Sequence, residues 1–254
     1  SLLEASVIQW QWKEDVFPEC DQFNGIHEGL VQSWKDIFPK KGEIHFAGAL
    51  ENNEDTGTLQ YLASTAMEAG FSTRVLDMQA LDLQNGRFFD PAGELVNRCF
   101  KLYPWEWMVD ESPDGCLAEM EWLEPIWKLV MSNKAILATL YELFPDSPYV
   151  LPCYLSRPRS GLFCKKPVFS REGHNVSVVD IRDWEEYVRI AETEGDYNTG
   201  AYVYQEYAEP TAYSGRYPVI GSWIIGGEAA GIGIRENRME VTDNLSEFVP
   251  HIIG

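Results

Sequence analysis

Two adjacent lysines close a β-like run, Leu162-Phe163-Cys164-Lys165-Lys166-Pro167. A short polar stretch follows, carrying Ser170, Arg171 and Gly173, before a second β-like run at 176–179. Backbone N–H groups beside a glycine, with lysine and arginine adjacent, can cradle phosphate oxygens. On local sequence alone a solvated hairpin tip is the simpler reading. The segment 201–210 (AYVYQEYAEP) alternates aromatic residues with valine and ends in acidic residues and proline. The end of such a strand can bond a flat base such as adenine through its backbone. A cross-strand aromatic ladder accounts for the same pattern. In 223–236 (WIIGGEAAGIGIRE), Gly231 and Gly233 alternate with Ile232 and Ile234, so one face of a strand lacks side chains and admits a close neighbour. Arg235 at its end can stabilise charge on a transferred phosphoryl group, or make a surface ion pair of little consequence.

These segments need a scaffold. Leu3, Val7 and Trp10 predict one face of a helix over 2–13, and Ile26, Leu30, Trp34 and Ile37 one over 25–37. Residues 43–49 read as a buried strand. Asn52 or Asn53 caps a helix whose face is Leu59, Leu62, Ala66 and Ala69, and 71–76 is a second strand. Strand, helix and strand make a βαβ unit with parallel strands. Asn85-Gly86 and 91–93 are turns of a hairpin, and 95–103 is a further strand. Residues 110–118 read as loop, and 119–131 and 133–143 as helices. From 162 onward the pattern is β at 162–168, 175–180, 201–208, 218–225 and 229–235, with a helix at 183–193 and a tight turn at Gly226-Gly227.

The bulk properties narrow the function. Lys plus Arg number 20 against 40 Asp plus Glu, a net charge of −20 that repels phosphate backbones and argues against a nucleic-acid partner. No stretch reaches the roughly 20 apolar residues of a membrane helix. Five cysteines at wide spacing, without C-x-x-C, and four scattered histidines argue against a disulfide framework or a metal site, and a reducing cytoplasm is the default location. G-x-S-x-G, G-x-x-x-x-G-K-[ST] and G-x-G-x-x-G are all absent, which argues against hydrolase, P-loop and dinucleotide readings.

Read in order, the segments 51–71, 100–108 (FKLYPWEWM), 132–145 (SNKAILATLYELFP), 163–175 (FCKKPVFSREGHN), 203–210 (VYQEYAEP), 231–237 (GIGIREN) and 247–253 (EFVPHII) resemble the glutathionylspermidine synthase family, above all its stand-alone acid–amine ligases. The resemblance implies an α/β (α+β) ATP-grasp-like synthetase fold of two lobes with mixed and antiparallel sheets. Its parts would be a helical segment 1–42, a pre-ATP-grasp-like region 43–112, a lid lobe 113–200 and C-terminal strands 201–254. It implies a ligase that uses ATP and Mg2+ to join a small acid, such as a peptide thiol, to an amine, such as a polyamine, through an acyl phosphate. It assigns Lys134 and Lys166 to ATP, with Lys165 as a substitute in a shifted register. Ser170, Arg171, Glu172 and Gly173 become the mobile loop over the phosphates and the thiol-peptide substrate, with Arg171 also assigned to substrate. Gln205, Glu206 and Tyr207 form the adenine side, Arg235 meets the transferring phosphoryl group, and Glu54 and Asp55 lie near the peptide and amine. The family's main metal-binding run, acidic-Tyr-Asn-Ala-Asp, is expected before Ser1, so no metal ligand is expected within these residues. Two alternatives remain: a non-catalytic nucleotide- or peptide-binding module on the same fold, and a Trp-rich sugar-binding protein.

Overall fold

The computed structural model describes residues 1–183, 186–197, 200–239 and 246–254. It is a mixed α/β protein with parallel and antiparallel sheets. The chain divides into two compact units. The first comprises Ser1–Trp127, Ile220–Ile234 and Phe248–Gly254; the second comprises Lys128–Val219 and Arg235–Glu247.

The first unit is built on a four-stranded sheet in the order Ser72–Asp77, Glu43–Gly48, Arg98–Leu102, Glu121–Leu123, with every neighbouring pair parallel. Its central strand buries Ile44, His45, Phe46 and Ala47, as expected of a parallel strand covered on both faces. The Asn53–Glu68 helix returns the chain to its parallel partner. Asn52 caps that helix, its Oδ1 accepting from Glu54 N at 2.8 Å and Asp55 N at 3.4 Å. Leu59, Leu62, Ala66 and Ala69 face the core, as their spacing requires. Trp34, from the Ile26–Ile37 helix, packs edge-on against Phe46 and Phe100, and its indole N–H donates to Thr65 Oγ1 at 2.9 Å. Here Val31 is buried, and Ile37, expected on the inner face, is exposed.

Three further expectations in this unit are overturned. The first helix turns out Val7 and Trp10 and buries Leu2, Ala5, Ser6 and Gln9. A π-helical opening, Glu4–Ile8, shifts the inner face. Gln9 is buried because its amide is satisfied: Nε2 donates to the Ile232 carbonyl at 2.9 Å, and Oε1 meets His251 Nδ1 at 3.0 Å. Within the expected loop 110–118, Pro113–Cys116 forms a helical turn. Within the expected helix 119–131, Glu121–Leu123 is the fourth strand of the sheet. Pro125 follows it and does not allow a helix to run through from 119.

The second unit centres on a five-stranded antiparallel sheet in the order Tyr187–Glu192, Ser177–Ile181, Gly161–Pro167, Tyr202–Glu206, Cys153–Tyr154. Pro167 ends its strand, so its missing donor interrupts no ladder. The helix expected over 183–193 is instead the strand Tyr187–Glu192, paired to Ser177–Ile181; residues 184–185 lie outside the described residues. The Ile136–Leu143 helix covers one sheet face, where Ala138, Cys153 and Val203 form a small core.

Candidate functional site

Alternation along Gly161–Pro167 decides which lysine matters. Cys164 and Lys166 share one face of the strand, and Phe163 and Lys165 the other. Lys165 stacks its ammonium over the Tyr202 ring, 4.0 Å from the centroid. Lys166 reaches diagonally across the ladder, its Nζ donating to Gln205 Oε1 at 2.7 Å. The shifted register that would exchange the two lysines is therefore not the one formed.

Lys166 opens onto a cavity of about 380 Å³ within the second unit, inside the range of roughly 300–1,000 Å³ usual for small-molecule sites. Lys134, Lys166, Ser170, Arg171, Glu172, Gly173, Gln205, Glu206 and Tyr207 all line it. Lys134 lies just before the Ile136–Leu143 helix; its backbone N–H donates to the Val168 carbonyl at 2.8 Å and its ammonium to the Ser170 carbonyl. Positions 132–145, 163–175 and 203–210, separate in sequence, thus meet in one place.

Leu151, Cys164, Val176, Ala208 and Pro210 complete the wall. Cys164, Val176, Ala208 and Pro210 belong to segments the sequence singles out, though not as site residues; Leu151 lies outside them and carried no signal. Burial pushes the Cys164 thiol up, an effect that Lys166 opposes only in part. That direction disfavours the thiolate, which is the nucleophilic form.

Two groups of expected residues lie elsewhere. Arg235 belongs to the same compact unit, half-buried in the Glu228–Asn237 strand, and is not among the side chains lining the cavity. Glu54 and Asp55 are in the other unit, in the first turn of the Asn53–Glu68 helix, where carboxylates complement the helix dipole. That turn follows the carboxyl end of Glu43–Gly48. Strand order reverses between this strand and Arg98–Leu102, which is where open α/β sheets take ligands. Beside it, Lys101 is buried, its ammonium 3.9 Å from the Trp105 ring centroid and donating to the Tyr103 carbonyl at 2.7 Å. Burial lowers its pKa to about 8.

A larger cavity, about 730 Å³, opens at the amino ends of the same parallel strands. Its cations are engaged, Lys41 with the Ala69 carbonyl, Arg87 with Glu119 and Arg98 with Glu121, as Lys134 and Lys166 are in the smaller cavity, but here two of the three are held by carboxylates. Lying at the wrong end of the strands, it is the weaker candidate despite its size.

Among the described residues no group of three His, Cys, Asp or Glu side chains is placed to hold a metal ion, and all five cysteines are free. No helix among them is long and apolar enough to cross a membrane.

The fold and cavity define a two-unit α/β protein whose second unit holds a cavity lined by two lysines and a glycine-bearing loop. The chain belongs to the glutathionylspermidine synthase family: the family model described as "Glutathionylspermidine synthase preATP-grasp" matches residues 1–254. It is 36% identical over 265 residues to a Haemophilus influenzae protein described as "Putative acid--amine ligase", covering 99% of this chain and 67% of the relative. It is 27% identical to a trypanothione synthetase of Crithidia fasciculata, covering 98% and 42%. It is 25% identical to a bifunctional glutathionylspermidine synthetase/amidase of Escherichia coli, covering 98% and 45%. The chain thus spans about two thirds of the first relative and less than half of the other two. A solved structure titled "Putative gamma-glutamylcysteine synthetase" from Methylobacillus flagellatus has a similar fold, with a TM-score of 0.54, 10% identity, and coverage of 91% of this chain and 74% of that one.

Proposed function

We propose that this chain is part of an ATP-dependent carboxylate–amine ligase of ATP-grasp type, and that the 380 Å³ cavity takes the nucleotide. The single observation supporting this reading is the convergence of Lys134, Lys166 and the 170–173 loop on that cavity. The residues suit the ligand. Two ammonium groups, the Arg171 guanidinium and loop backbone offer donors to phosphate oxygens, while Leu151, Val176, Ala208 and Pro210 offer apolar walls to a base.

The chemistry follows from the poverty of a carboxylate as an acyl donor. A carboxylate oxygen attacks the terminal phosphorus as the bridging P–O bond breaks, releasing ADP. The amine nitrogen then attacks the acyl carbon, the C–O bond to phosphate breaks, and the nitrogen loses a proton. Arg235 is assigned to the charge on the transferring phosphoryl group, and Glu54 and Asp55 to the ammonium or amide groups of the acid and amine substrates. The acid is a small molecule such as a peptide thiol and the amine one such as a polyamine. Mg2+ is expected with the nucleotide, but the described residues offer it no ligand set, so no step is assigned to it.

A coupled assay for ADP with mass spectrometry of products tests this. ADP release that requires both an acid and an amine supports the ligase. Nucleotide binding without ADP release for any such pair supports the second reading, a binding module. Calorimetry showing no ATP binding, with a response to oligosaccharides instead, refutes both.

A further inference from the structure

The 170–175 loop holds an unusual backbone. Glu172, Gly173 and Asn175 have φ of 55°, 73° and 55°. Left-handed backbone is costly for a residue with a side chain, and persists when the surroundings over-determine it. Those surroundings are residues 193–197, which follow the Tyr187–Glu192 strand. Val176 N donates to Thr193 Oγ1 at 2.9 Å, and that hydroxyl donates to the Gly173 carbonyl. The backbone closes the same contact, Thr193 N donating to the Val176 carbonyl at 2.9 Å. The Asn175 amide is held at both atoms: Nδ2 donates to the Gly195 carbonyl at 2.9 Å, and Oδ1 accepts from Tyr197 N at 2.8 Å. Position 195 must be glycine for this approach, since a Cβ there would lie 2.5 Å from His174 Cβ and 2.9 Å from Asn175 Oδ1. The His174 N–H donates to the Arg171 carbonyl at 2.8 Å and closes the turn.

Residues 193–197 do not line the cavity, whereas Ser170 to Gly173 and Val176 do, and Thr193 bonds two of these, Gly173 and Val176. We infer that Asn175, Thr193 and Gly195 form a clasp that fixes the phosphate-facing loop, and that they are positioning residues for nucleotide binding. The inference rests on the nucleotide reading above. The physical reason is preorganisation: a loop already in its binding conformation loses little entropy when the ligand arrives. Freed from the clasp, Glu172 and Asn175 relax toward ordinary backbone, and the loop must be reordered each time.

The test uses the full chain with Thr193→Val, Asn175→Ala and the conservative Thr193→Ser. ATP with Mg2+ is titrated by calorimetry, and amide hydrogen exchange is followed over 171–176. The expected result is ATP binding about tenfold weaker in Thr193→Val and Asn175→Ala, with faster loop exchange, unchanged exchange in the parallel-sheet unit, and recovery in Thr193→Ser. Binding within about twofold of the parent in both disruptive variants overturns the inference, as does loop exchange that does not change. If the parent itself binds no ATP, the nucleotide reading falls and the functional role of the clasp falls with it. The exchange data then still report whether the clasp orders the loop.

Discussion

Lys166→Met and Lys165→Met are adjacent, chemically identical changes on opposite faces of one strand. Lys166 faces the cavity and Lys165 the Tyr202 ring. A hydrogen bond from an ammonium to a charged phosphate contributes about 1.5–3 kcal/mol. In the ligand-free protein Lys166 already donates to Gln205 at 2.7 Å, a bond worth about 1 kcal/mol net that the nucleotide must displace. The difference is about 0.5–2 kcal/mol, so Lys166→Met should weaken ATP binding by roughly three- to thirtyfold. Lys165→Met loses only a cation–π contact, about 0.5–1 kcal/mol of stability, and should leave ATP affinity within about twofold. Isothermal calorimetry on both variants, with melting temperatures as control, measures this. Equal weakening by the two changes, or a larger effect of Lys165→Met, would refute the assignment of faces and the site built on it.

Arg235→Ala should lower kcat roughly a hundredfold with a much smaller change in ATP affinity if the guanidinium acts on transferring charge. Steady-state kinetics with separate nucleotide titration decide this, and equal losses count against that role. Asn52→Ala should cost about 1 kcal/mol in urea unfolding by removing the helix cap, and its effect on the amine KM tests whether the Glu54–Asp55 turn is functional. His45 is buried with no hydrogen-bond partner at either ring nitrogen, Glu43 and Asp90 carboxylates standing at 3.8 and 3.9 Å. Burial lowers its pKa despite these carboxylates, and burial lowers that of His251 too. The unfolded chain then binds more protons below about pH 6.5, so stability is full above that pH and falls as pH drops below it. The slope of melting temperature between about pH 6.5 and 5 should flatten in His45→Gln; an unchanged slope would show that His45 does not contribute.

The site was legible where chemistry coincided with a clear period. The alternation at 161–167 and the polar loop beyond it gave a hairpin in its observed place. The helix expected at 183–193 failed for a stated reason. Trp184, Tyr187, Val188 and Ala191 recur at helical spacing, yet Tyr187–Ile190 is equally a β-forming run, and the open edge of Ser177–Ile181 decided between them. The buried face of the first helix was hidden because polar Gln9 is at its centre, which no hydrophobic pattern reveals. The pairing of Asn175 with Gly195 and Tyr197, and of Thr193 with Gly173 and Val176, was illegible because only the fold brings together residues 17 to 22 apart.

The first unit is assembled from three separated stretches, the last being Phe248–Gly254. Gln9 is satisfied by Ile232 and His251, and Gln22 donates to the His251 carbonyl at 2.9 Å. On a ribosome, the opening helix must therefore wait for more than 220 later residues before its buried amide finds its partners. Removing residues 248–254 should therefore loosen the helix that carries Gln9, because His251 leaves with them and one end of that buried amide loses its partner.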